Sequence, residues 1–169
     1  MGASGCGKSV VGEAVAVRLT APFVDADDLH SAEARASMSA GRPLDDQARA
    51  PWLRRVVARM ERETRSAGAV VVACSALRRR YRDVLRGADM VDVVFVHLEG
   101  SRALLDTRMR TRDHFMPPAL LDSQLSTLEP LAPDERGAVV APEGTVDDVV
   151  AVALEHLRAL APGRATLLR

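Results

Sequence analysis

The stretch Gly2-Ala3-Ser4-Gly5-Cys6-Gly7-Lys8-Ser9 decides the fold, because it satisfies the phosphate-binding pattern G-x-x-x-x-G-K-[ST] in full. In this pattern the glycines let successive backbone N–H groups turn inward on bound phosphates. A helix that begins at the end of the loop directs the positive end of its dipole at the same phosphates. We expect that helix to run from Lys8 to Leu19. Lys8 is predicted to reach the β- and γ-phosphates of a nucleotide, and Ser9 to hold Mg²⁺ through its hydroxyl.

Lys8 is also the one lysine of the chain. All the other residues among the 23 lysines and arginines are arginine. A compact ammonium on a flexible stem fits between phosphates where a planar guanidinium fork does not. The composition therefore favours a phosphate-binding loop over the alternative of a glycine-rich turn that only caps a helix.

The remaining composition indicates one globular domain over residues 1–169. Hydrophobic residues make up 47% and charged residues 27%, and the 23 basic and 23 acidic residues give no net charge, which argues against a general nucleic-acid binder. No apolar run approaches the roughly 18 residues that span a bilayer, and no secretory signal is visible. We interpret Cys6 and Cys74 as reduced thiols of a cytoplasmic protein.

Apolar strand-like runs alternate with helical stretches, which predicts an α/β fold with a parallel sheet in a three-layer α/β/α arrangement. The predicted strands are 23–25, 69–74, 91–98 and 137–141. The predicted helices after the first are 30–40, 46–66, 77–86, 101–112, 117–128 and 145–160. Thr145 is expected to cap the last of these helices.

Three acids, Asp25, Asp27 and Asp28, follow the first predicted strand. In open α/β sheets ligands bind at the carboxyl ends of the strands, and alternation would turn Asp25 and Asp27 to the same side. We expect Asp25 to serve the Mg²⁺ shell and Asp27 to orient and deprotonate an acceptor hydroxyl. The alternative is a helix cap, which we prefer for Asp28.

A second basic site is predicted on the helix that ends near residue 112. Arg108 and Arg112 are four residues apart and share one face, so they could clamp polyphosphate from a short lid at about 108–118. The alternative is a solvated helix face, which we prefer for Arg110. We expect most of the basic cluster after the second strand to be solvated, with one member at most meeting an anionic substrate: Arg78, Arg79, Arg80 and Arg82.

The four histidines divide into two pairs. His97 and His156 lack any motif and are interpreted as structural. His30 and His114 are expected to flank the substrate pocket.

Several further blocks carry a family resemblance. In chain order they are Asp25-Ala26-Asp27-Asp28-Leu29-His30, Gly41-Arg42-Pro43-Leu44, Arg49-Ala50-Pro51-Trp52-Leu53, Ala73-Cys74-Ser75-Ala76-Leu77, Arg79-Arg80-Tyr81-Arg82, His114-Phe115-Met116, Leu121-Asp122-Ser123-Gln124 and Thr127-Leu128-Glu129. Together with the loop they resemble the P-loop gluconate kinases, from residue 2 to about residue 130. The Cys-Ser-Ala-Leu and Ser-Gln-x-x-Thr-Leu-Glu blocks are more specific to that family than the loop is.

The resemblance implies transfer of the γ-phosphoryl group of ATP to the 6-hydroxyl of D-gluconate. It also implies Mg²⁺, a fold like that of the nucleoside-monophosphate kinases, and a homodimer. Asp27 and His30 resemble substrate-side residues, and Arg49 and Arg78 resemble candidates for the sugar-acid carboxylate, which a bidentate guanidinium would suit. By the same reasoning Lys8, Asp27 and Arg112 would be catalytic. Two alternatives stay open: a kinase of another small metabolite such as shikimate, and a nucleotide-binding protein without transfer activity.

The N-terminus carries one further expectation. A phosphate-binding loop normally connects a strand to a helix, and here only Met1 stands ahead of the loop. We therefore expect the first central strand to be absent from this chain. A form extended upstream by about six to ten residues, a strand and its lead-in, is expected to be more stable and more active.

Overall fold

The computed structural model describes residues 1–111 and 120–161. The helices are α1 (Lys8–Leu19), α2 (Ala32–Ser39), α3 (Asp46–Ala67), α4 (Arg79–Arg86), α5 (Arg102–Arg110), α6 (Leu120–Thr127) and α7 (Val146–Leu160). The strands are β1 (Phe23–Asp25), β2 (Val71–Ala73), β3 (Phe95–Leu98) and β4 (Gly137–Val140). A 3₁₀ turn, Ala26–Leu29, follows β1.

The four described strands form two parallel pairs. β1 pairs with β2, with Phe23 opposite Val71 and Asp25 opposite Ala73. β3 pairs with β4 from Phe95 opposite Gly137 to Leu98 opposite Val140. Both pairings are parallel, as the alternation of strands and helices predicts.

Two hydrophobic clusters lie on opposite faces of these strands, so the fold has three layers. One cluster joins α1, α5, α6 and α7 to the inner residues of β3 and β4, and includes Val11, Leu105 and Leu154. The other joins α3 and α4 to β2, with the fully buried Trp52 among its members. The three-layer α/β arrangement with parallel strands that the sequence predicts is confirmed.

Some helices and strands have the predicted boundaries and others are shorter, and β1 begins and ends where the sequence predicts. α1 has the predicted bounds, and Thr145 caps α7 in a capping box with Asp148. β2 and β3 are shorter than the apolar runs that predicted them, because β1 pairs with only three residues of β2 and β4 with only four of β3.

The prediction that Asp28 caps the following helix is wrong. Ser31 is the N-cap of α2, and its hydroxyl accepts a hydrogen bond from the Ala34 amide at 3.2 Å. Asp28 instead forms an exposed ion pair with Arg35 at 3.2 Å. Of the helices in the described ranges, none combines the length and the apolar character that crossing a bilayer requires.

Candidate active site

The phosphate-binding loop has the backbone shape that its glycines allow. Gly2 and Gly5 have φ angles of 137° and 82°. A Cβ atom at Gly2 would lie 2.6 Å from the Leu98 carbonyl oxygen, and one at Gly5 would lie 2.8 Å from that of Leu105. Lys8 folds back across the loop, where its Nζ donates to the Ala3 carbonyl at 3.1 Å.

Ser9 and Asp25 are in direct contact, as the predicted metal site requires. The Ser9 hydroxyl donates to Oδ2 of Asp25 at 2.6 Å, and the Asp27 amide donates to Oδ1 of the same carboxylate at 3.0 Å. These two bonds fix Asp25 beside the first turn of α1. Hydroxyl and carboxylate oxygens are ligands that Mg²⁺ prefers, so the pair fits a magnesium ion bound next to the phosphates.

A polar pocket adjoins the loop. Its lining includes Ser4 and Lys8 from the loop, Asp27 from the 3₁₀ turn and Arg49 from α3. The structure therefore brings residues from separate segments to within reach of the position that a terminal phosphate would take. Asp27 faces this pocket from the 3₁₀ turn, whereas Asp25 is hydrogen-bonded to Ser9. The two acids therefore lie in different parts of the site.

His30 completes one wall of the pocket. Its ring stacks on Trp52 with a centroid distance of 4.4 Å, and Trp52 is fixed by a hydrogen bond from its indole N–H to the Ala26 carbonyl at 2.7 Å. Burial, assisted by the positive charge of Arg49, lowers the pKa of His30 to about 4. The imidazole is therefore neutral near pH 7, and its buried Nδ1 has no hydrogen-bond partner within the described ranges.

Of the two arginines predicted to hold a carboxylate, the structure brings Arg49 into the pocket. Its Nε donates to the Leu44 carbonyl at 3.2 Å, and its guanidinium lies 5.5 Å from the centre of the Tyr81 ring. Arg78 is the N-cap residue of α4 and lies 3.9 Å from Asp46. Arg49 is the arginine within the described part of the pocket lining.

Most of the basic cluster is partly exposed to solvent, as expected, and Arg82 is the exception. It is fully buried, and its Nε and Nη2 bond to the two carboxylate oxygens of Glu135 at 2.6 and 2.7 Å. Its remaining donors reach four carbonyls, those of Ala76, Leu77, Glu129 and Pro130, at 3.0 to 3.4 Å. No local signal marks this residue, because its partner is 53 residues away in sequence.

Gln124 is a site residue that the sequence placed in a family block without a role. Its side-chain oxygen accepts a hydrogen bond from the Ser4 amide at 2.6 Å, and the residue lines the pocket. α6 therefore contacts the loop directly through this side chain.

The second basic site can be described in part. Arg108 donates to the Pro142 carbonyl at 2.7 Å, at the connection between β4 and α7. Arg110 pairs with Asp106 at 2.8 Å on an exposed face, as predicted. Arg112 and His114, with most of the predicted lid, lie outside the described residues.

The loop opens directly into the pocket that contains Asp27 and Arg49, so a nucleotide held by the loop and a small acceptor would meet beside Lys8. This arrangement, on this fold, defines a P-loop kinase with a small-molecule acceptor.

Comparison with known proteins supports the assignment to the P-loop kinases of small molecules. A model of the shikimate kinase family matches residues 4–138. A probable gluconokinase of Xenopus tropicalis is 46% identical over 151 residues, which cover 80% of each chain. A gluconokinase of Gluconobacter oxydans is 40% identical over 160 residues, with 94% of this chain and 89% of that protein covered. The crystal structure of a gluconokinase from Sinorhizobium meliloti superposes with a TM-score of 0.86 at 42% identity, covering 100% of this chain and 95% of that one.

The chain belongs to the gluconokinase family, within the larger group that the shikimate kinase model describes. It is an ATP-dependent kinase.

Proposed function

We propose that the protein transfers the γ-phosphoryl group of ATP to the 6-hydroxyl of D-gluconate, giving 6-phospho-D-gluconate. The observation that carries this proposal is Arg49, a guanidinium on the wall of a pocket that opens onto Lys8. A sugar acid offers a carboxylate for this arginine and hydroxyls for the polar groups around it. The names of the relatives at 40% and 46% identity support the same acceptor.

Each residue has a distinct task in the proposed reaction. The loop amides and Lys8 position the phosphates and neutralise the charge that spreads over the transferred group. Asp27 orients the acceptor hydroxyl and accepts its proton. Neutral His30 hydrogen-bonds to the sugar acid, and Arg49 holds its carboxylate. In-line transfer then depends mainly on positioning, which is worth several kcal/mol of barrier.

Ser9 and Asp25 would hold Mg²⁺, since their oxygens lie 2.6 Å apart at the start of α1. When bound, the ion supplies positive charge at the phosphate oxygens. Asp25 also fixes the Ser9 hydroxyl through the hydrogen bond described above, so the serine is oriented by a second group.

We also propose that the enzyme acts in the cytoplasm, where ATP is available, and that it forms a homodimer. The homodimer rests on the family resemblance, and the cytoplasmic location rests on the interpretation of Cys6 and Cys74 as reduced thiols. Size-exclusion chromatography with light scattering tests the second, and a monomer at micromolar concentration would contradict it.

The test of the function is an acceptor panel in an assay coupled to ADP release. The panel contains gluconate, other sugar acids, shikimate, and glucose, which is neutral. Gluconate is expected to be the best substrate by kcat/KM. Glucose phosphorylated as well as gluconate would contradict a site that recognises a carboxylate, and shikimate as the best substrate would favour the alternative kinase.

The arginine is tested by Arg49→Met. Since a hydrogen bond to a charged group contributes about 1.5–3 kcal/mol, KM for gluconate should rise about 10- to 100-fold with KM for ATP nearly unchanged. Arg54→Met, an exposed position on the same helix, is the matched control. If Arg78→Met raises KM for gluconate and Arg49→Met does not, the carboxylate assignment moves to Arg78.

A further inference from the structure

Arg49 is held on two sides, which leaves one edge of its guanidinium for a ligand. Its Nε donates to the Leu44 carbonyl at 3.2 Å, and the carbon at the centre of the guanidinium lies 5.5 Å from the centre of the Tyr81 ring. Among the described residues, no hydrogen-bond acceptor contacts its terminal nitrogens, Nη1 and Nη2. A carboxylate can therefore approach these two nitrogens end-on, in the bidentate geometry that arginine favours.

The Tyr81 ring is in turn fixed by Asp46. Tyr81 is 5% exposed, and its hydroxyl donates to Oδ1 of Asp46. This hydrogen bond is the main cause that lowers the pKa of Asp46, whereas burial, followed by the same bond, raises the pKa of Tyr81. The carboxylate is therefore charged and the phenol is protonated near pH 7, so the hydrogen bond persists under assay conditions.

These contacts connect two helices at the edge of the pocket. Asp46 and Arg49 lie one turn apart on α3, and Tyr81 belongs to α4. Asp46 also supplies the negative charge that this junction needs. Arg80 pairs with its Oδ2 at 2.5 Å and lies 5.6 Å from the same aromatic ring, so two guanidiniums lie close to one ring. An arginine held in one orientation loses less entropy when it binds a ligand than a free one does.

We propose that Tyr81 and Asp46 are positioning residues that orient Arg49 for the carboxylate of the acceptor. Asp46 fixes the Tyr81 hydroxyl, the ring supports the guanidinium, and the Leu44 carbonyl sets its rotation. Neither Tyr81 nor Asp46 belongs to the described lining of the pocket, so their effect on the acceptor passes through Arg49. The inference rests on the proposed function, since it takes Arg49 as the residue that binds the carboxylate.

The test is a double-variant cycle between Tyr81 and Arg49, read as KM for gluconate at saturating ATP. Tyr81→Phe keeps the ring and removes the hydroxyl that Asp46 fixes, so KM for gluconate should rise about three- to tenfold. The melting temperature, kcat and KM for ATP should change little. Added to Arg49→Met, Tyr81→Phe should have no further effect, because the residue that it positions is gone. An equal rise in both backgrounds would show that Tyr81 acts independently of Arg49, and would overturn the proposal.

Asp46→Ala removes the same hydrogen bond from its other end. It should raise KM for gluconate by a similar factor, again with KM for ATP nearly unchanged. Arg80→Met is the matched control, because it removes the exposed ion pair of Asp46 and leaves the bond from Tyr81 in place. KM for gluconate in this control should stay close to the wild-type value. A rise equal to that of Asp46→Ala would assign the effect to the ion pair and contradict the positioning role.

Failure of the proposed function gives a different result. If Arg49→Met alone leaves KM for gluconate unchanged, Arg49 does not bind the carboxylate, and both proposals are refuted. If Arg49→Met raises this KM while Tyr81→Phe and Asp46→Ala do not, the role of Arg49 stands and the positioning role alone is overturned.

Discussion

The phosphate-binding loop is held by other parts of the chain at three of its residues. The Gly2 amide bonds to Ser75, the Ser4 amide bonds to Gln124, and the Ser9 hydroxyl bonds to Asp25. These contacts come from the end of β2, from α6 and from the end of β1. Because they fix the loop from several directions, its amides need little reorganisation to meet a phosphate, which is the condition for electrostatic stabilisation of the transferred group.

Lys8→Arg tests the requirement for a compact cation. The lysine reaches across the loop to the Ala3 carbonyl, and a longer planar fork would place its charge elsewhere. We expect kcat to fall at least about tenfold while the melting temperature changes little. Arg18→Lys, on the exposed face of the same helix, is the control. Activity near the wild-type level in Lys8→Arg would refute the phosphate-binding role.

The two acids at the end of β1 are distinguished by a pair of substitutions. Asp27→Asn should leave ATP binding intact and lower the rate of transfer by about 10²- to 10⁴-fold, because it removes the proposed proton acceptor. Asp25→Asn should instead weaken the dependence on Mg²⁺, because it changes the carboxylate beside Ser9. Titrations of ATP and Mg²⁺ at saturating gluconate separate the two. The reverse pattern would exchange the roles of the acids.

At the scale of the elements, a buried ion pair and several hydrogen bonds tie α4 to a distant segment. Arg82 joins it to Glu135 and to the carbonyls of residues 129 and 130, and Arg79 adds an exposed pair with Asp134 at 2.5 Å. Hydrogen bonds from Arg82 are also the main cause that lowers the pKa of Glu135. The same guanidinium bonds to Ala76 and Leu77, so it also fixes the backbone next to the pocket.

Arg82→Met should therefore destabilise the protein strongly. It leaves the Glu135 carboxylate buried without its partner, which costs about 3–5 kcal/mol. The exposed Arg79→Met is the matched control and should cost less than about 1 kcal/mol. Urea denaturation of the three proteins measures both differences. Equal stabilities of the two variants would show that the buried pair contributes little more than the exposed one.

The sequence correctly predicted those structural features that neighbouring residues determine. The bounds of α1 follow from the loop and from the apolar face of the helix. Thr145 and Asp148 form the capping box of α7 within one turn. The sequence did not predict the features that depend on residues far away in the chain. The run 91–98 is apolar apart from Asp92 and His97, yet only the part opposite β4 is a strand, and nothing near Arg82 in sequence reveals Glu135.

Among the site residues, too, the sequence predicted the local relationships and not the distant ones. Ser9 and Asp25 were predicted together because a loop and the end of the next strand share one edge of the sheet. The choice between Arg49 and Arg78 could not be made from spacing, since it depends on how α3 and α4 pack around Tyr81. Gln124 reaches the loop from 120 residues away, a distance that no local pattern spans.

At the scale of the whole molecule, groups that burial keeps neutral make stability depend on pH, among them His30 and the Met1 amino group. Burial is the main cause that lowers the pKa of His30 from 6.5 to about 4, and that of the Met1 amino group from 8.0 to about 6. At pH values between its lowered pKa and its ordinary pKa, each group binds a proton in the unfolded chain but not in the folded chain. Stability therefore falls as pH falls, from 8 to 6 for Met1 and from 6.5 to 4 for His30.

The substitution His30→Phe isolates the contribution of His30, which falls between pH 6.5 and 4. Phenylalanine can keep the stack on Trp52, but it cannot take up a proton, so the variant should lose less stability than the wild type between pH 6.5 and 4. The difference should reach about 2–3 kcal/mol at the acid end, since one pKa unit corresponds to about 1.4 kcal/mol. His97 is also buried with a lowered pKa, and the carboxylates titrate in the same range, but both proteins contain them. Subtracting the two curves of unfolding free energy against pH, measured with urea at fixed ionic strength, therefore leaves the contribution of His30. Parallel curves would show that the folded protein accepts a proton on His30 as readily as the unfolded chain does.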